Sequence, residues 1–322
     1  MKILQPNATQ MTASEPANEE VRYCATIGFF DGVHRGHQFL LCQLKNEARR
    51  RGMQSLVVTF ATHPRKTLLT DYRPKLLTPT DEKILQLSAC GVDACAVLDF
   101  TPELAALSAA EFMEKYLLRR FSVACLIVGY DHRFGTGRAE GFPDYVRHGK
   151  NLGIEVLQAE AFVETEQTVS SSVVRRQLEA GNVREAAQNL GRPYALYGTV
   201  VEGRRVGRQL GFPTANLRPS HPDLLIPACG VYAVRAEVEG NSYGAMLNIG
   251  RRPTLDNGND CSIEAHLFDF SGILYGKQLR LHFVDRLRDE MKFESLEALK
   301  QQLKADAQES LQRLRENAEK QN

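Results

Sequence analysis

The sequence TIGFFDGVHRGH, residues 26–37, indicates the fold of the first half of the chain. It follows an apolar, strand-like run at 23–27 and leads into a stretch with helical spacing over 37–50. We therefore expect a strand, a glycine-rich loop and a helix. Ligands commonly bind in such loops, at the carboxyl ends of the strands of an open α/β sheet.

The residue types in this loop favour a phosphate ligand. Gly28, Gly32 and Gly36 let the backbone approach a ligand closely. The helix start near Gly36 offers free N–H groups and the positive end of the helix dipole. His34 and His37 are three residues apart and can point toward the same anion, donating hydrogen bonds as charge builds during a transfer reaction.

The remaining first half alternates between strand and helix patterns. The predicted strands cover residues 56–60, 94–100, 123–128 and 154–157. A helix is expected from Thr78 to Gly91 with Pro79 as its first residue, and Ser108 and Glu111 have the spacing of a capping box. This alternation predicts an α/β Rossmann-like domain, with a parallel sheet and helices on both faces.

The pattern changes near Arg192-Pro193. Apolar and polar residues then alternate over 234–238, 263–267 and 279–283, which predicts a small antiparallel barrel. A helix is expected over 295–316. It is predicted to dock on the barrel through one stripe, with partner binding as the alternative; the stripe consists of Leu296, Leu299, Leu303, Leu311 and Leu314.

Composition excludes several classes of protein. The 322 residues are 43% hydrophobic and 25% charged, which fits two globular domains. The 40 basic and 39 acidic residues are evenly spread, so we expect no nucleic-acid partner. Residues 1–20 are expected to be a flexible tail without signal-peptide features, and no apolar run reaches the roughly 18–20 residues that span a bilayer. Seven cysteines without a CxxC pair predict reduced thiols and a cytoplasmic location, and self-association is left open.

Residues 26–37 resemble the HxGH signature of the nucleotidyltransferase superfamily, which transfers AMP from ATP. Three further stretches are similar to segments of the bacterial FMN adenylyltransferases: TFATHPRK (59–66), VGYDHRFGTGRAEG (128–141) and TVSSSVVR (168–175). Ser172 replaces the usual Thr, Phe29 replaces a common Asn, and residues 141–144 depart from the usual Gly-Asp.

The resemblance implies a set of site residues in the first half. His34 and His37 would be catalytic, Ser170 to Ser172 would cap a helix and offer hydroxyls to a triphosphate, and Arg175 would hold phosphate oxygens. The residues implied to bind nucleotide or flavin are Gly28, Phe30, Gly36, Phe60, His63, Pro64, Asp131, Ser170, Ser171, Ser172 and Arg175.

A second glycine-rich stretch, GRPYALYGTVVEGRRVGRQLGFPTANL, spans residues 191–217. Its Pro-Thr-Ala-Asn quartet resembles the signature of riboflavin kinases, whose fold is a six-stranded barrel. Together the two resemblances cover about residues 21–310, so the chain is similar to the bifunctional bacterial riboflavin kinase/FAD synthetases. After the expected tail at 1–20, they imply an FMN adenylyltransferase domain at 21–188 and a riboflavin kinase domain at 189–322.

This second resemblance implies further roles. Thr214 and Asn216 would bind Mg²⁺ and ATP, since a hydroxyl and an amide oxygen are hard donors. Glu264 would be the general base for the riboflavin 5′-hydroxyl. The residues implied to surround phosphate or flavin are Gly203, Gly207, Arg208, Gly211 and Arg288.

The expected function is synthesis of FMN from riboflavin and ATP, followed by synthesis of FAD from FMN and a second ATP. Three alternatives remain at this point. They are an adenylyltransferase whose barrel only binds flavin, another HxGH enzyme such as a class I aminoacyl-tRNA synthetase, and a flavin-binding protein without turnover. Intact Thr214, Asn216 and Glu264 disfavour the first, and the lack of a KMSKS-like loop and of basic excess disfavours the second.

Overall fold

The computed structural model describes residues 1–4, 21–62, 75–163, 169–203, 207, 210–251 and 261–319. The chain forms two compact units, Met1–Val169 and Ser170–Asn322. The first is a parallel α/β unit and the second contains a closed antiparallel barrel, which confirms the predicted fold class. Within the described residues, no helix has the length and apolar character needed to span a membrane.

The first unit is built on a six-stranded sheet in the order β1-β4-β3-β2-β5-β6, and every adjacent pair is parallel. The strands are β1 (Lys2–Leu4), β2 (Tyr23–Ile27), β3 (Gln54–Phe60), β4 (Ala94–Leu98), β5 (Val123–Val128) and β6 (Glu155–Gln158). Strands β2 and β5 are buried along their whole length, as their continuous apolar runs predict for a sheet covered on both faces.

Helices cover both faces of this sheet. They are α1 (Arg35–Arg50), α2 (Thr80–Ala89), α3 (Pro102–Ala105), α4 (Ala109–Phe112) and α5 (Phe142–Leu152). Alternate residues of β2 belong to opposite cores: Tyr23, Ala25 and Ile27 to one, Cys24 to the other. The capping box predicted at Ser108 and Glu111 is present at the start of α4, which continues as π-helical residues Met113–Leu118.

Two short helices open the second unit and a long one closes it, around the six-stranded barrel. The helices are α6 (Ser171–Glu179), α7 (Val183–Leu190) and α8 (Leu296–Glu319). The barrel strands are β7 (Ala195–Val201), β8 (Ala215–Pro219), β9 (Gly230–Val238), β10 (Asn241–Arg251), β11 (Cys261–Leu267) and β12 (Gln278–Arg288). The barrel closes in the order β10-β11-β8-β7-β12-β9, and α8 contacts β9, β10 and β12.

Two sequence-based expectations differ from the structure. Residues 2–4 of the expected tail form strand β1, since their backbone pairs with the edge strand β4. The apolar stripe predicted for α8 is not buried along its whole length, since Leu296 is 65% exposed. The charged residue Asp306, which is not part of the stripe, is buried instead. Periodicity of apolar residues does not detect a buried carboxylate, which here has a cationic partner described below.

Candidate active sites

The first candidate site lies at the start of α1 and is built around two stacked histidines. His34 is the N-cap of α1, and its buried ring accepts a hydrogen bond at Nδ1 from the backbone N–H of His37 at 3.3 Å. The two imidazole rings stack with centroids 3.7 Å apart. Because Nδ1 of His34 accepts this bond, Nε2 carries the ring proton and is a hydrogen-bond donor.

His37 sits in an environment that disfavours its protonation. Burial, followed by the neighbouring His34, His132 and Lys83, lowers the pKa of His37 well below its usual range. Its Nδ1 atom is buried and has no hydrogen-bond partner among the described residues. A buried ring nitrogen without a partner, beside the N-terminus of a helix, suits a hydrogen bond to an anionic ligand.

The turn before these histidines has a strained backbone. Phe30 and Val33 have φ angles of 55° and 38°, and a positive φ is rare for a β-branched residue. The ring of Phe30 is 2% exposed and meets His37 edge-on at 5.0 Å. A Cβ atom at Gly28 would lie 2.9 Å from this ring, so Gly28 makes room for Phe30. Phe30 thus supports His37 from the core, and its predicted contact with a ligand stays a prediction.

A loop after β5 brings a third histidine to this region, which the sequence reasoning did not select. His132 packs over Gly129, where a Cβ atom would lie 3.4 Å from His132 Cβ and 3.8 Å from Leu40 of α1. Burial and the charge of Arg138 lower the pKa of His132 to about 4, so its ring is neutral near pH 7. Its Nε2 atom is buried and, within the described part of the chain, without a partner.

Tyr145 of α5 holds this loop in place. Its buried hydroxyl accepts a hydrogen bond from the N–H of Phe134 at 2.9 Å and lies 3.1 Å from the carbonyl oxygen of Glu140. The rings of Tyr145 and Phe134 stack at 4.2 Å. Asp131, a candidate nucleotide-binding residue, is exposed in the same loop.

The other predicted residues of this group occupy different places. Phe60 is buried at the end of β3, and Gly36 lies in the first turn of α1, where a Cβ atom would be 3.3 Å from the His34 ring. Ser170 caps α6 by accepting a hydrogen bond from the N–H of Val173. Ser171, Ser172 and Arg175 belong to α6, whereas His63 and Pro64 lie outside the described residues.

The second candidate site lies on the outer face of the barrel. The hydroxyl of Thr214 donates a hydrogen bond to Oε2 of Glu264 at 3.3 Å. Asn216 on β8 pairs in register with Glu264 on β11, and its side chain is buried. Antiparallel pairing therefore places a hydroxyl, an amide and a carboxylate side by side, which are the groups expected for phosphate transfer to an alcohol.

Gly203 is required for the position of Asn216. A Cβ atom on Gly203 would lie 2.1 Å from Nδ2 of Asn216, and one on Gly207 would lie 2.3 Å from the carbonyl oxygen of Phe212. Both glycines thus allow close approach to the Pro-Thr-Ala-Asn segment. Gly211 adopts a φ of 86°, which glycine accepts readily. Arg208 lies outside the described residues.

A cavity of about 300 Å³ opens between this face of the barrel and α8. Four residues selected from the sequence line it: Gly207, Thr214, Glu264 and Arg288. Its remaining wall is largely apolar or aromatic, and includes Leu210, Phe212, Met246, Met291, Phe293, Leu299 and Leu303. Such a wall with a few convergent polar groups suits a planar aromatic ligand.

Arg288 has a structural partner in this cavity. Its Nε and Nη2 atoms form a bidentate pair with the buried carboxylate of Asp306, at 2.8 and 2.6 Å. The pair joins β12 to α8. The predicted contact between Arg288 and flavin stays a prediction.

Sequence reasoning missed His266 and Asn248, which also line the cavity. A ring nitrogen of His266, Nδ1, is 2.8 Å from the carbonyl oxygen of Pro213, so His266 supports the loop that carries Thr214. The period-two alternation of β11 places His266 on the same face as Glu264, and this was the available signal.

A larger cavity, of about 500 Å³, lies elsewhere in the second unit. Among the described residues, none of the predicted site residues lines it. Arg184 and Arg313 in its wall both contact the carboxylate of Asp285, at 2.5 and 3.4 Å.

Comparison with known families gives matches to both halves of the chain. A family model described as FAD synthetase matches residues 17–173, and one described as riboflavin kinase matches residues 190–314. Curated relatives from three bacteria share the description "bifunctional riboflavin kinase/FMN adenylyltransferase". The Pseudomonas fluorescens protein is 40% identical, over 89% of this chain and 92% of the relative. The Escherichia coli K12 protein is 38% identical over 87% and 89%, and the Bacillus subtilis protein 36% over 91% and 93%.

A solved structure is also similar over most of the chain. It is a Streptococcus pneumoniae protein titled "macrolide-efflux protein", with a TM-score of 0.82 and 32% sequence identity. The match covers 90% of this chain and 95% of that one.

Proposed function

This chain belongs to the family of bifunctional riboflavin kinase/FMN adenylyltransferases, and we propose that its two reactions use two separate groups of residues, one centred in each unit. The enzyme phosphorylates riboflavin with ATP to give FMN, and then joins FMN to the AMP of a second ATP to give FAD and pyrophosphate. The domain limits proposed for these activities are 21–188 and 189–322.

For the kinase reaction, the observation that supports our assignment is the contact between Thr214 and Glu264 in one cavity. Glu264 accepts the proton of the riboflavin 5′-hydroxyl as its oxygen bonds to the γ-phosphorus of ATP, and the bond to the bridging oxygen of ADP breaks. The hydroxyl of Thr214 orients Oε2 of Glu264. The apolar wall of the cavity takes the isoalloxazine ring.

The donor set near Glu264 fits Mg²⁺. Thr214 and Asn216 offer hard oxygen donors, and the space that a Cβ on Gly203 would fill is occupied by the Asn216 amide. We propose that these two residues hold Mg²⁺ together with ATP. The bound ion supplies neutralisation of the phosphate charge. Gly207, Gly211 and Arg208 are proposed to complete the phosphate-binding loop.

For the adenylyl reaction, the stacked pair of His34 and His37 at the start of α1 supports our assignment. A phosphate oxygen of FMN attacks the α-phosphorus of ATP, and the bond to the β-phosphate breaks to release pyrophosphate. The two imidazoles donate hydrogen bonds to phosphate oxygens as negative charge builds in the transition state. FMN phosphate is already ionised near neutral pH, so no strong base is needed.

The remaining candidates are proposed on their motifs. Gly28, Gly36, Phe60, His63, Pro64 and Asp131 are assigned to nucleotide or flavin binding, and Ser170, Ser171, Ser172 and Arg175 to the triphosphate. We also propose a cytoplasmic location, which the seven free thiols support.

Product chromatography of single variants tests the two-group assignment. With riboflavin, ATP and Mg²⁺, His37→Ala should accumulate FMN and form almost no FAD. Glu264→Gln should form FAD from supplied FMN but hardly any product from riboflavin. Glu239→Gln, a change in the exposed β9–β10 turn, is the matched control and should retain both reactions. Loss of both reactions in a folded His37→Ala or Glu264→Gln protein would contradict separate sites.

Chelation tests the proposed ion. EDTA should stop FMN formation and added Mg²⁺ should restore it. Asn216→Ala should raise the Mg²⁺ concentration needed for half-maximal kinase rate. An unchanged Mg²⁺ requirement in this variant would remove Asn216 from the site.

A further inference from the structure

Lys83 is a buried amine that neither proposed reaction uses. It lies on α2 and is 1% exposed. Its Nζ atom donates hydrogen bonds to the carbonyl oxygens of Phe60 at 2.7 Å and Phe29 at 3.1 Å, and lies 4.1 Å from the centroid of the Phe29 ring. A single side chain therefore connects three groups in two different segments of the first unit.

The two carbonyls mark the ends of neighbouring strands. Phe60 is the last residue of β3, and Phe29 comes two residues after β2. Thr59 also donates a hydrogen bond to the Phe29 carbonyl, at 3.1 Å. Phe29 opens the loop that carries His34 and His37, and the candidate residue Phe60 opens the next loop. Lys83 thus fixes the distance between two loops at the ligand-binding edge of the sheet.

The charge of Lys83 acts on the same site. Burial lowers the pKa of Lys83 to about 8, opposed by the carboxylate of Asp31, so the amine is mostly protonated at pH 7. Cys95 and His37 are further titratable groups that interact with it. His37 faces His34, His132 and Lys83, and each of the three lowers the pKa of His37.

Core packing alone does not explain an amine at this position. Methionine has a similar length and no charge to desolvate, so it would fill the same space at a lower free-energy cost. What lysine adds is two hydrogen bonds to strand-end carbonyls and a positive charge that acts on His37.

We propose that Lys83 is a positioning residue for FMN adenylylation, which ties the carboxyl ends of β2 and β3 together where the loop that carries His34 and His37 begins. Its charge also adds to the effects of burial, His34 and His132, which are each larger and together lower the pKa of His37. This inference rests on the adenylyl reaction assigned above.

The test compares Lys83→Met, which removes both charge and donors, with Lys83→Gln, which removes the charge but keeps an amide donor. Lys45→Met is the matched control, since Nζ of Lys45 also donates to a backbone carbonyl of the first unit, that of Cys90. We measure kcat and KM for FMN adenylylation across pH, and titrate the Cε1–H resonance of His37 by NMR.

In both Lys83 variants the His37 titration midpoint and the acidic limb of the kcat profile should move to higher pH. The adenylylation kcat of Lys83→Met should fall about tenfold or more, which corresponds to about 1.4 kcal/mol in the barrier. The fall should be smaller in Lys83→Gln, and Lys45→Met should match the parent enzyme. Riboflavin phosphorylation should be unchanged in all three.

The outcomes separate this inference from the proposed function. An adenylylation kcat of Lys83→Met equal to that of the parent enzyme, or an equal fall in riboflavin phosphorylation, would overturn the inference. If Lys83→Met fails to fold, an adenylylation kcat of Lys83→Gln equal to that of the parent enzyme overturns it in the same way. If the parent enzyme forms no FAD, the assigned function itself is wrong.

Discussion

The hydroxyl of Thr214 donates a hydrogen bond to Oε2 of Glu264, at 3.3 Å, across the outer face of the barrel. We expect Thr214→Val to lower kcat/KM for riboflavin phosphorylation by about a hundredfold, because it removes both an orienting hydrogen bond and a proposed metal donor. Thr214→Ser keeps the hydroxyl and should stay within about tenfold of the parent enzyme. Steady-state kinetics of both variants, with FMN adenylylation as the internal reference, measures these two effects. Equal activity of the valine and serine variants would show that the hydroxyl has no role.

The close approach of Gly203 to Asn216 gives a second prediction. In Gly203→Ala the new methyl group would lie 2.1 Å from the Asn216 amide nitrogen, so the amide has to move. We expect a higher KM for Mg·ATP in the kinase reaction and unchanged FMN adenylylation. Initial rates over a series of Mg·ATP concentrations measure this. An unaltered KM would mean that the position of Asn216 does not matter for ATP binding.

His132 predicts a dependence of stability on pH. Its pKa is about 4 in the folded protein and about 6.5 in an unfolded chain, so the unfolded chain binds a proton in this interval and the folded one does not. The free energy of unfolding of the first unit should therefore fall as pH drops from 6.5 to 4, by about 3 kcal/mol from this residue. His132→Phe retains a ring against Phe134 and should lose that part of the acid sensitivity.

Amide hydrogen exchange of first-unit residues at pH 7 and pH 4.5 measures the effect. The parent enzyme should lose more protection on acidification than the phenylalanine variant. The same loss in both proteins would contradict a buried, neutral His132.

The pair of Arg288 and Asp306 predicts a loss of stability in the second unit. Asp306→Ala leaves the Arg288 guanidinium without its bidentate partner, and breaking a buried pair typically costs about 3–5 kcal/mol. Asp289→Ala is the control, because Asp289 is 82% exposed in its pair with Arg286, and such pairs contribute at most about 1 kcal/mol. Urea unfolding of the two variants measures the difference. Similar midpoints would show that the buried pair does not anchor α8.

Much of the fold could be predicted because burial leaves a clear signal in the sequence. The run at 123–128 is apolar at every position and forms β5, and the alternation over 279–283 lies within β12. Ends of elements were less certain. Pro79 was expected inside a helix, but its ψ of 157° is extended, and α2 begins at Thr80. Its carbonyl accepts the N–H of Lys83 and so belongs to the cap.

The candidate sites were predictable where residues are close in sequence, as for His34 and His37. Lys83 and His132 come from other elements, and only the folded sheet brings them to the same region. Lys83 stands among charged residues of a helix, where a lysine normally faces solvent. The burial of Asp306 could not be predicted from neighbouring residues either, because it depends on Arg288, which is 18 positions away in sequence.

Closure of the barrel affects how each of the two units unfolds. Every barrel strand has two hydrogen-bonded neighbours, whereas β1 at the edge of the open sheet has one. If any one barrel strand detaches, its two neighbouring strands are left with unpaired backbone groups. The second unit should therefore unfold in an all-or-none manner. The open sheet can fray inward from its two edge strands, β1 and β6, and keep its central strands, so gradual unfolding starts at these edges.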